Sequence, residues 1–276
     1  MKGAIIGDII GSVYEFNNIK TKQFPLFRRD CFYTDDTVAT TAVAKGFLKA
    51  ASRGVNLWEC DSIVSNYICL ELKAWGRRKP GRGYGARFYE WLNSDSLEPY
   101  FSLGNGAPMR CSPAGWLTDN PDRAWVYGEY SARPTHNHPF ALKAAGVTAA
   151  LICMARNGAD RDAIEEFARR FYNIPTVEEI RKNHVHNERS ELTMPVALAA
   201  LIEAKDFEDT IRNAISVGGD SDTIAAIAGS IAEPLFGIPD GWWELACTFL
   251  DEDIVWVVDD FYHIAKNVRA AEKILK

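Results

Sequence analysis

Along most of the chain, apolar residues recur three or four positions apart, the spacing that lays side chains along one stripe of an α-helix. Ile5, Ile6, Ile9, Ile10 and Val13 open the sequence in this way and predict a buried helix. An acidic start at Asp36 and a stop at Gly54 bound a second, alanine-rich helix reaching about Arg53. A third covers roughly Leu57 to Trp75, ahead of the glycine-rich stretch Arg77-Arg78-Lys79-Pro80-Gly81-Arg82-Gly83-Tyr84-Gly85. Ala141 to Arg156 forms another, closed by Asn157-Gly158, and Asp160 stands as the N-cap of a helix to about Tyr172. Pro195 to Lys205 and Asp206 to Val217 predict a helical pair, which Gly218-Gly219 breaks before a new helix starts near Asp222. That helix, Thr223 to Ala232, is rich in small residues, which let neighbouring backbones approach and place it inside a bundle. Strict alternation is almost absent; its best case, Ile254 to Val258, equally suits a last helix. The pattern predicts an all-α fold, and the lack of repeats, low-complexity tracts or long polar linkers predicts one domain over residues 1–276.

Composition changes this picture little. Of 276 residues, 47% are apolar and 25% charged, an ordinary globular balance. A formal net charge of -6 offers no basic stripe for a phosphate backbone, so nucleic acid is not expected as a partner. Cys31, Cys60, Cys69, Cys111, Cys153 and Cys247 are scattered without zinc-ligand spacing and read as reduced core thiols. Asp8 interrupts the first apolar stretch before a signal-peptide core can form. No run of about 18 uninterrupted apolar residues occurs, as a spanning helix requires, so the expectation is a cytoplasmic protein without a membrane partner.

Two oxygen-rich clusters stand at predicted helix starts, Thr34-Asp35-Asp36-Thr37 and Gly218-Gly219-Asp220-Ser221-Asp222-Thr223. A helix N-terminus favours a carboxylate, so capping alone accounts for one acid at each place. It does not account for two acids and a threonine at both. If the clusters meet, like charges about 4 Å apart repel by roughly 4 kcal/mol per pair at an effective dielectric near 20. Raised pKa values would relieve this, but two divalent cations cancel four negative charges and take the hydroxyls as further ligands. An all-oxygen set suits Mg²⁺ or Mn²⁺, with Ca²⁺ also compatible, and disfavours structural zinc.

Five stretches in order give the chain a recognisable character. They are Gly7-Asp8-Ile9-Ile10-Gly11-Ser12-Val13-Tyr14-Glu15, Thr34-Asp35-Asp36-Thr37, Gly104-Asn105-Gly106-Ala107-Pro108-Met109-Arg110, Thr135-His136-Asn137-His138-Pro139 and Gly218-Gly219-Asp220-Ser221-Asp222-Thr223. In these the chain resembles the ADP-ribosylglycohydrolase family, which includes dinitrogenase-reductase-activating glycohydrolases and ADP-ribosyl-acceptor hydrolases. The resemblance implies a compact, multi-helix orthogonal bundle and a pair of Mg²⁺ or Mn²⁺ ions held by Thr34, Asp35, Asp36, Asp220, Asp222 and Thr223. It implies cleavage of the ribosyl bond in ADP-ribosylated proteins or small molecules, with the ribose hydroxyls held at the cations. Glu15 is then the group that orients or deprotonates the attacking water, and Asp35 or Asp36 the proton source for the leaving group. Gly104, Asn105 and Gly106 would hold the diphosphate, supported by Met109 and Arg110, while His136 would bond the distal phosphate or ribose. Tyr84 offers a ring for adenine, or simply packs its loop on the core. Asp8 reads as a buried carboxylate bonded to nearby backbone or supporting the site, and His138, His184 and His186 receive no role.

Two departures from the family pattern concern the substrate. Pro108 stands where a small flexible residue is expected and removes a backbone donor. Residues Asn187 to Met194 differ on the leaving-group side. Two other readings remain in view. Asp220-Ser221-Asp222-Thr223-Ile224 is similar to the nucleophile motif of haloacid-dehalogenase-like phosphatases, which needs a buried strand before it. An inert ADP-ribose-binding member would show eroded metal ligands, whereas all six are present.

Overall fold

The computed structural model describes residues 1–274, in which fourteen α-helices and one short 3-10 turn carry the chain and no strand occurs. In order, the helices are α1 (Lys2–Gly11), α2 (Asp35–Ser52), α3 (Asp61–Arg78), α4 (Ala86–Asn93), α5 (Gly106–Arg110), α6 (Pro121–Ala132) and α7 (Pro139–Arg156). They continue with α8 (Arg161–Arg169), α9 (Val177–Asn183), α10 (Ser190–Ile202), α11 (Phe207–Ser216), α12 (Ser221–Phe236), α13 (Trp242–Cys247) and α14 (Glu252–Ile274). The all-α architecture expected from the spacing is the one observed, and residues 254–258 lie within α14.

Boundaries moved where local polar chemistry competes with periodicity. The third helix starts at Asp61 because Asn56 first closes a turn, its side chain accepting from Trp58 N at 3.1 Å. The helix with Pro195 begins at Ser190, so that proline is interior and not the opening residue. It therefore leaves one carbonyl of the preceding turn without its usual donor. Asp160 does cap α8, accepting from Ala163 N at 2.9 Å, but α8 stops at Arg169. Short helices α4, α5, α6, α9 and α13 were not anticipated.

The centre of the fold is the crossing of α1 with α12. Gly3, Gly7 and Gly11 recur every fourth residue and form one face of α1. A Cβ on Gly7 would lie 2.2 Å from the Ala225 carbonyl oxygen, and one on Gly3 2.2 Å from that of Gly229. A Cβ on Gly11 would lie 2.5 Å from the Asp222 Cα. Backbone thus meets backbone along the whole seam, fixing α12 and its first turn against α1. Ile5, Ile6, Ile9 and Ile10 fill the remaining faces and are fully buried. The α7 helix is long and apolar enough to cross a bilayer by length and composition, with a mean hydropathy of 1.3 over 18 residues. Two thirds of it (67%) is nevertheless buried inside the bundle, as in a core helix.

Candidate active site and metal centre

The N-termini of α2 and α12 open into one cavity of about 570 Å³, although residues 36 and 223 are far apart in the chain. Its walls include Glu15, Thr34, Asp35, Asp36, Asp220, Asp222 and Thr223. Across the cavity floor Thr223 Oγ1 donates to Asp36 Oδ2 at 3.1 Å, joining the two clusters directly.

Capping does not explain the acids. In α2 the cap is Thr34, whose hydroxyl accepts from Asp36 N, so Asp35 and Asp36 are free for another task. Asp220 occupies the N-cap of α12 without making a side-chain cap bond. Its Oδ2 instead accepts from Asn105 Nδ2 at 2.6 Å, which ties the glycine loop to the cluster.

Two groupings of carboxylates have oxygens within 4.8 Å of one another, Asp8 with Asp36 and Asp222, and Glu15 with Asp220 and Asp222. Asp222 belongs to both. No lysine or arginine pairs with these acids among the described residues. Burial first, and the neighbouring carboxylates second, push Asp35, Asp36 and Asp222 well above the usual carboxylate range. Burial and the Asp220 charge carry Glu15 up to about 7. Asp36 Oδ1 is buried and finds no hydrogen-bond partner among the described residues. An orphaned acceptor within an all-oxygen set that lacks counter-charge fits a hard divalent cation, which would satisfy the acceptor and offset the repulsion together.

Asp8 has a different environment from the other acids. Its carboxylate accepts from Thr34 N at 3.0 Å, Thr34 Oγ1 at 2.7 Å, Thr37 N at 3.1 Å and Thr37 Oγ1. These four donors occupy its lone pairs and hold the first turn of α2 in place. Asp8→Asn, which presents an amide donor to two hydroxyl and two N-H donors, is expected to lower stability by about 2–4 kcal/mol. Thermal unfolding should show the loss, and titration calorimetry should show divalent-cation affinity weakened by about tenfold or more. Unchanged cation affinity would separate Asp8 from the site.

The glycine loop lies on the other side of the cavity, beside His136. A Cβ at Gly106 would stand 3.0 Å from His136 Nε2 and Cε1, so the ring approaches the loop this closely only because no side chain intervenes. Thr135 Oγ1 is 2.7 Å from His136 Nδ1 and also accepts from buried Arg110 at 2.7 Å. Burial, aided by the charges of Arg110 and Arg87, holds the His136 pKa well below normal, so the imidazole is neutral. Gly104 N donates to Ser102 Oγ and Asn105 N to the Glu188 carbonyl, leaving the N-H groups of Gly106 and Ala107 as the loop's donors before Pro108.

The structure brings Gly104, Asn105, Gly106, Met109, Arg110 and His136 into the cavity lining. Tyr84 is not part of that lining. Its hydroxyl donates to the Lys79 carbonyl at 2.8 Å and its ring meets Phe88 at 5.7 Å, so it packs its loop on the core while Phe88 faces the cavity.

Reading the sequence alone missed several wall residues. Arg82 lies over the Tyr33 ring at 3.6 Å and bonds its carbonyl; Arg87 lies over Tyr100 at 4.9 Å and bonds that carbonyl. Neither arginine has a carboxylate partner among the described residues; Arg82 stands beside the acids, its carbonyl accepting from Asp35 N at 2.7 Å, while Arg87 stands at Tyr100. Phe16, Phe32, Phe88, Tyr100, Ser102 and Glu188 are among the other lining residues. Only the glycine-rich context of Arg82 and the departure around Glu188 gave any signal of them. For the phosphatase-like reading, helix α11 and Gly218-Gly219 precede Asp220, and the strand that motif requires is absent among the described residues.

Comparison with known proteins agrees with this geometry. A family model described as ADP-ribosylglycohydrolase matches residues 1–271. An uncharacterised protein of Archaeoglobus fulgidus is 32% identical over 163 residues, spanning 52% of this chain and 53% of that protein. The ADP-ribosyl-[dinitrogen reductase] glycohydrolase of Rhodospirillum rubrum is 27% identical over 278 residues, 87% of this chain and 86% of its own length. A solved chain described as an ADP-ribosylglycohydrolase-related protein complex superposes with a TM-score of 0.67 at 22% identity, covering 96% of this chain and 97% of that one.

Proposed function

Since the chain belongs to the ADP-ribosylglycohydrolase family and is a glycohydrolase by that membership, we propose that this cavity binds an ADP-ribosylated protein or small molecule and hydrolyses the ribosyl bond, releasing ADP-ribose. The observation that carries this reading is the meeting of acids from both ends of the sequence with a glycine loop and unpaired arginines in one cavity.

Thr34, Asp35, Asp36, Asp220, Asp222 and Thr223 would hold two Mg²⁺ or Mn²⁺ ions, supported by the orphaned Asp36 oxygen and the carboxylate groupings around Asp222. Bound there, the ions supply positive charge for ribose hydroxyls and acidity for the attacking water. The chain's own groups do the rest. Glu15, whose carboxylate groups with Asp220 and Asp222, takes a proton from the water. Gly106 and Ala107 N-H groups and neutral His136 meet the diphosphate side, which fixes the anomeric carbon relative to Glu15. The remaining carboxylates stabilise the positive charge that develops on the sugar ring; whichever of Asp35 and Asp36 carries a proton gives it to the leaving group and is reprotonated as Glu15 releases the proton taken from the water.

The test is a panel of ADP-ribosylated substrates, linked through arginine or serine, incubated with Mg²⁺, Mn²⁺ or EDTA. ADP-ribose release is expected with metal, falling by at least about a thousandfold in EDTA. Full turnover in EDTA would remove the metal from the reading. Binding of ADP-ribose without cleavage of any substrate would mark an inert member, and hydrolysis of p-nitrophenyl phosphate instead would mark a phosphatase.

A further inference from the structure

Glu15 lies beyond the end of α1, which stops at Gly11 with Ser12 as its C-cap, so no helical ladder fixes its backbone. Asp220 follows Gly218 and Gly219, both at positive φ (69° and 81°), a bend that belongs to neither α11 nor α12. The carboxylates that these two segments present, Glu15 on one side and Asp220 and Asp222 on the other, have oxygens within 4.8 Å of one another and repel when charged. Keeping the acids converged therefore requires a neutral bridge between the segments.

Asn18 is that bridge. Its Oδ1 accepts from Gly219 N at 2.7 Å and its Nδ2 donates to Gly219 O at 3.0 Å, which clamps one residue of the bend from both sides. The same Nδ2 lies 2.8 Å from Tyr14 O and 2.6 Å from Glu15 O, so its two hydrogens serve three carbonyls and one bond is shared. Only an amide meets this set, because an acceptor faces the N-H while a donor faces the carbonyls. Lys20 adds a second tie, its Nζ donating to Val217 O, and to His184 O at 3.1 Å. The bend leaves no room for side chains beneath these ties. A Cβ at Gly218 would stand 3.1 Å from Lys20 Nζ and 3.2 Å from Asn18 Oδ1, and one at Gly219 would stand 2.6 Å from His184 Nε2.

Resting on the assignment of Glu15 to the attacking water, we infer that Asn18 is a positioning residue for the hydrolysis. It lies outside the cavity lining and acts through the backbones of Glu15 and Gly219, setting where the Glu15 carboxylate stands relative to Asp220. Cutting the clamp leaves Glu15 free to swing away from the cluster, as the repulsion favours. The glycine loop and His136 are held by other elements, through Glu188, Thr135 and Arg110, so ground-state binding of the ADP-ribose moiety is preserved.

The experiment measures kcat, KM and melting temperature of the full chain with arginine-linked and serine-linked ADP-ribosyl peptides in Mg²⁺ or Mn²⁺, for Asn18→Ala, Asn18→Asp, Asn17→Ala and Glu15→Gln. Asn18→Ala should lower kcat by about ten- to hundredfold, with KM within about threefold and the same fold-loss on whichever peptides the unmodified chain cleaves. Asn18→Asp keeps the acceptor for Gly219 N but turns a second oxygen against three carbonyls, so it should lose at least as much. Asn17→Ala, at the neighbouring exposed position, should turn over like the unmodified chain. A stability role alone would lower the melting temperature and leave kcat, measured well below it, unchanged. Asn18→Ala within about twofold of the unmodified kcat, a loss confined to KM, or full activity in Asn18→Asp overturns the inference, while loss of turnover in Glu15→Gln keeps the hydrolase reading standing. Full turnover by Glu15→Gln, or no ADP-ribose release by the unmodified chain, overturns the reading of Glu15 and the inference with it.

Discussion

Asp222→Ala should lose ADP-ribose release by at least about a thousandfold in kcat, roughly 4 kcal/mol of barrier. Asp222 is the one acid common to both carboxylate groupings, so its removal takes a ligand from each place where a cation would sit. The stability change should have the opposite sign in metal-free protein. Carboxylates within 4.8 Å repel by roughly 3–4 kcal/mol per pair at an effective dielectric near 20, and deleting the shared member relieves several such pairs. In EDTA the variant should therefore melt at or above the temperature of the unmodified chain. In millimolar Mg²⁺ or Mn²⁺ the order should reverse, because only the intact cluster gains stability from ligand binding. Thermal unfolding with and without metal, run beside the hydrolysis assay, checks both halves. A variant that melts lower in EDTA and still turns over would show Asp222 to be an ordinary structural residue.

Gly7→Ala should be the most damaging conservative change in the fold. The added carbon would sit 2.2 Å from the Ala225 oxygen and 2.4 Å from its carbonyl carbon, and neither backbone can rotate away as a side chain could. Helix α1 must shift outward, which opens the seam against Gly229 and Asp222 as well. The expected loss is about 3 kcal/mol or more, or about 6–12 °C in melting temperature for a chain of this size. Cation affinity should fall with it, since α12 positions Asp220, Asp222 and Thr223 from the same seam. Circular dichroism melts and calorimetry on the variant provide the readout. A melting temperature within about 2 °C of the unmodified chain would mean that the helices are not held this closely in solution.

The helical class and the acids were legible because each rests on short-range signals. Apolar spacing marked α1, α2, α7, α11 and α12, and acids beside Thr34 and Thr223 stood out because one cap cannot use two carboxylates. The role of Asp8 was partly legible from its place two helical turns before Glu15, although α1 ends at Gly11 and leaves Glu15 in the turn beyond it, and its four donors come from residues 34 and 37, which no local pattern connects to it. Short helices such as α4 and α5 gave no period to read, because five to eight residues complete at most about two turns. Arg87, Phe16 and Glu188 escaped for a further reason: their types are ordinary on any surface, and only tertiary placement around the cavity gives them meaning. For Tyr84 the sequence left open an adenine contact or packing of its loop on the core, and the bond to Lys79 and the contact with Phe88 turn it inward.

The bond from Thr223 to Asp36 spans 187 residues of sequence, and that separation sets when during biosynthesis the centre can exist. At a translation rate of about 5–20 residues per second, the acids of α2 leave the ribosome roughly 10–40 s before their partners. Throughout that interval a nascent chain carries Asp35 and Asp36 with no second cluster to complete a cation cage. Ribosome-bound chains halted before α12 should consequently retain metal only at the level of a loose pair of surface acids, and any ions held at the proposed site should arrive as one of the last events in maturation.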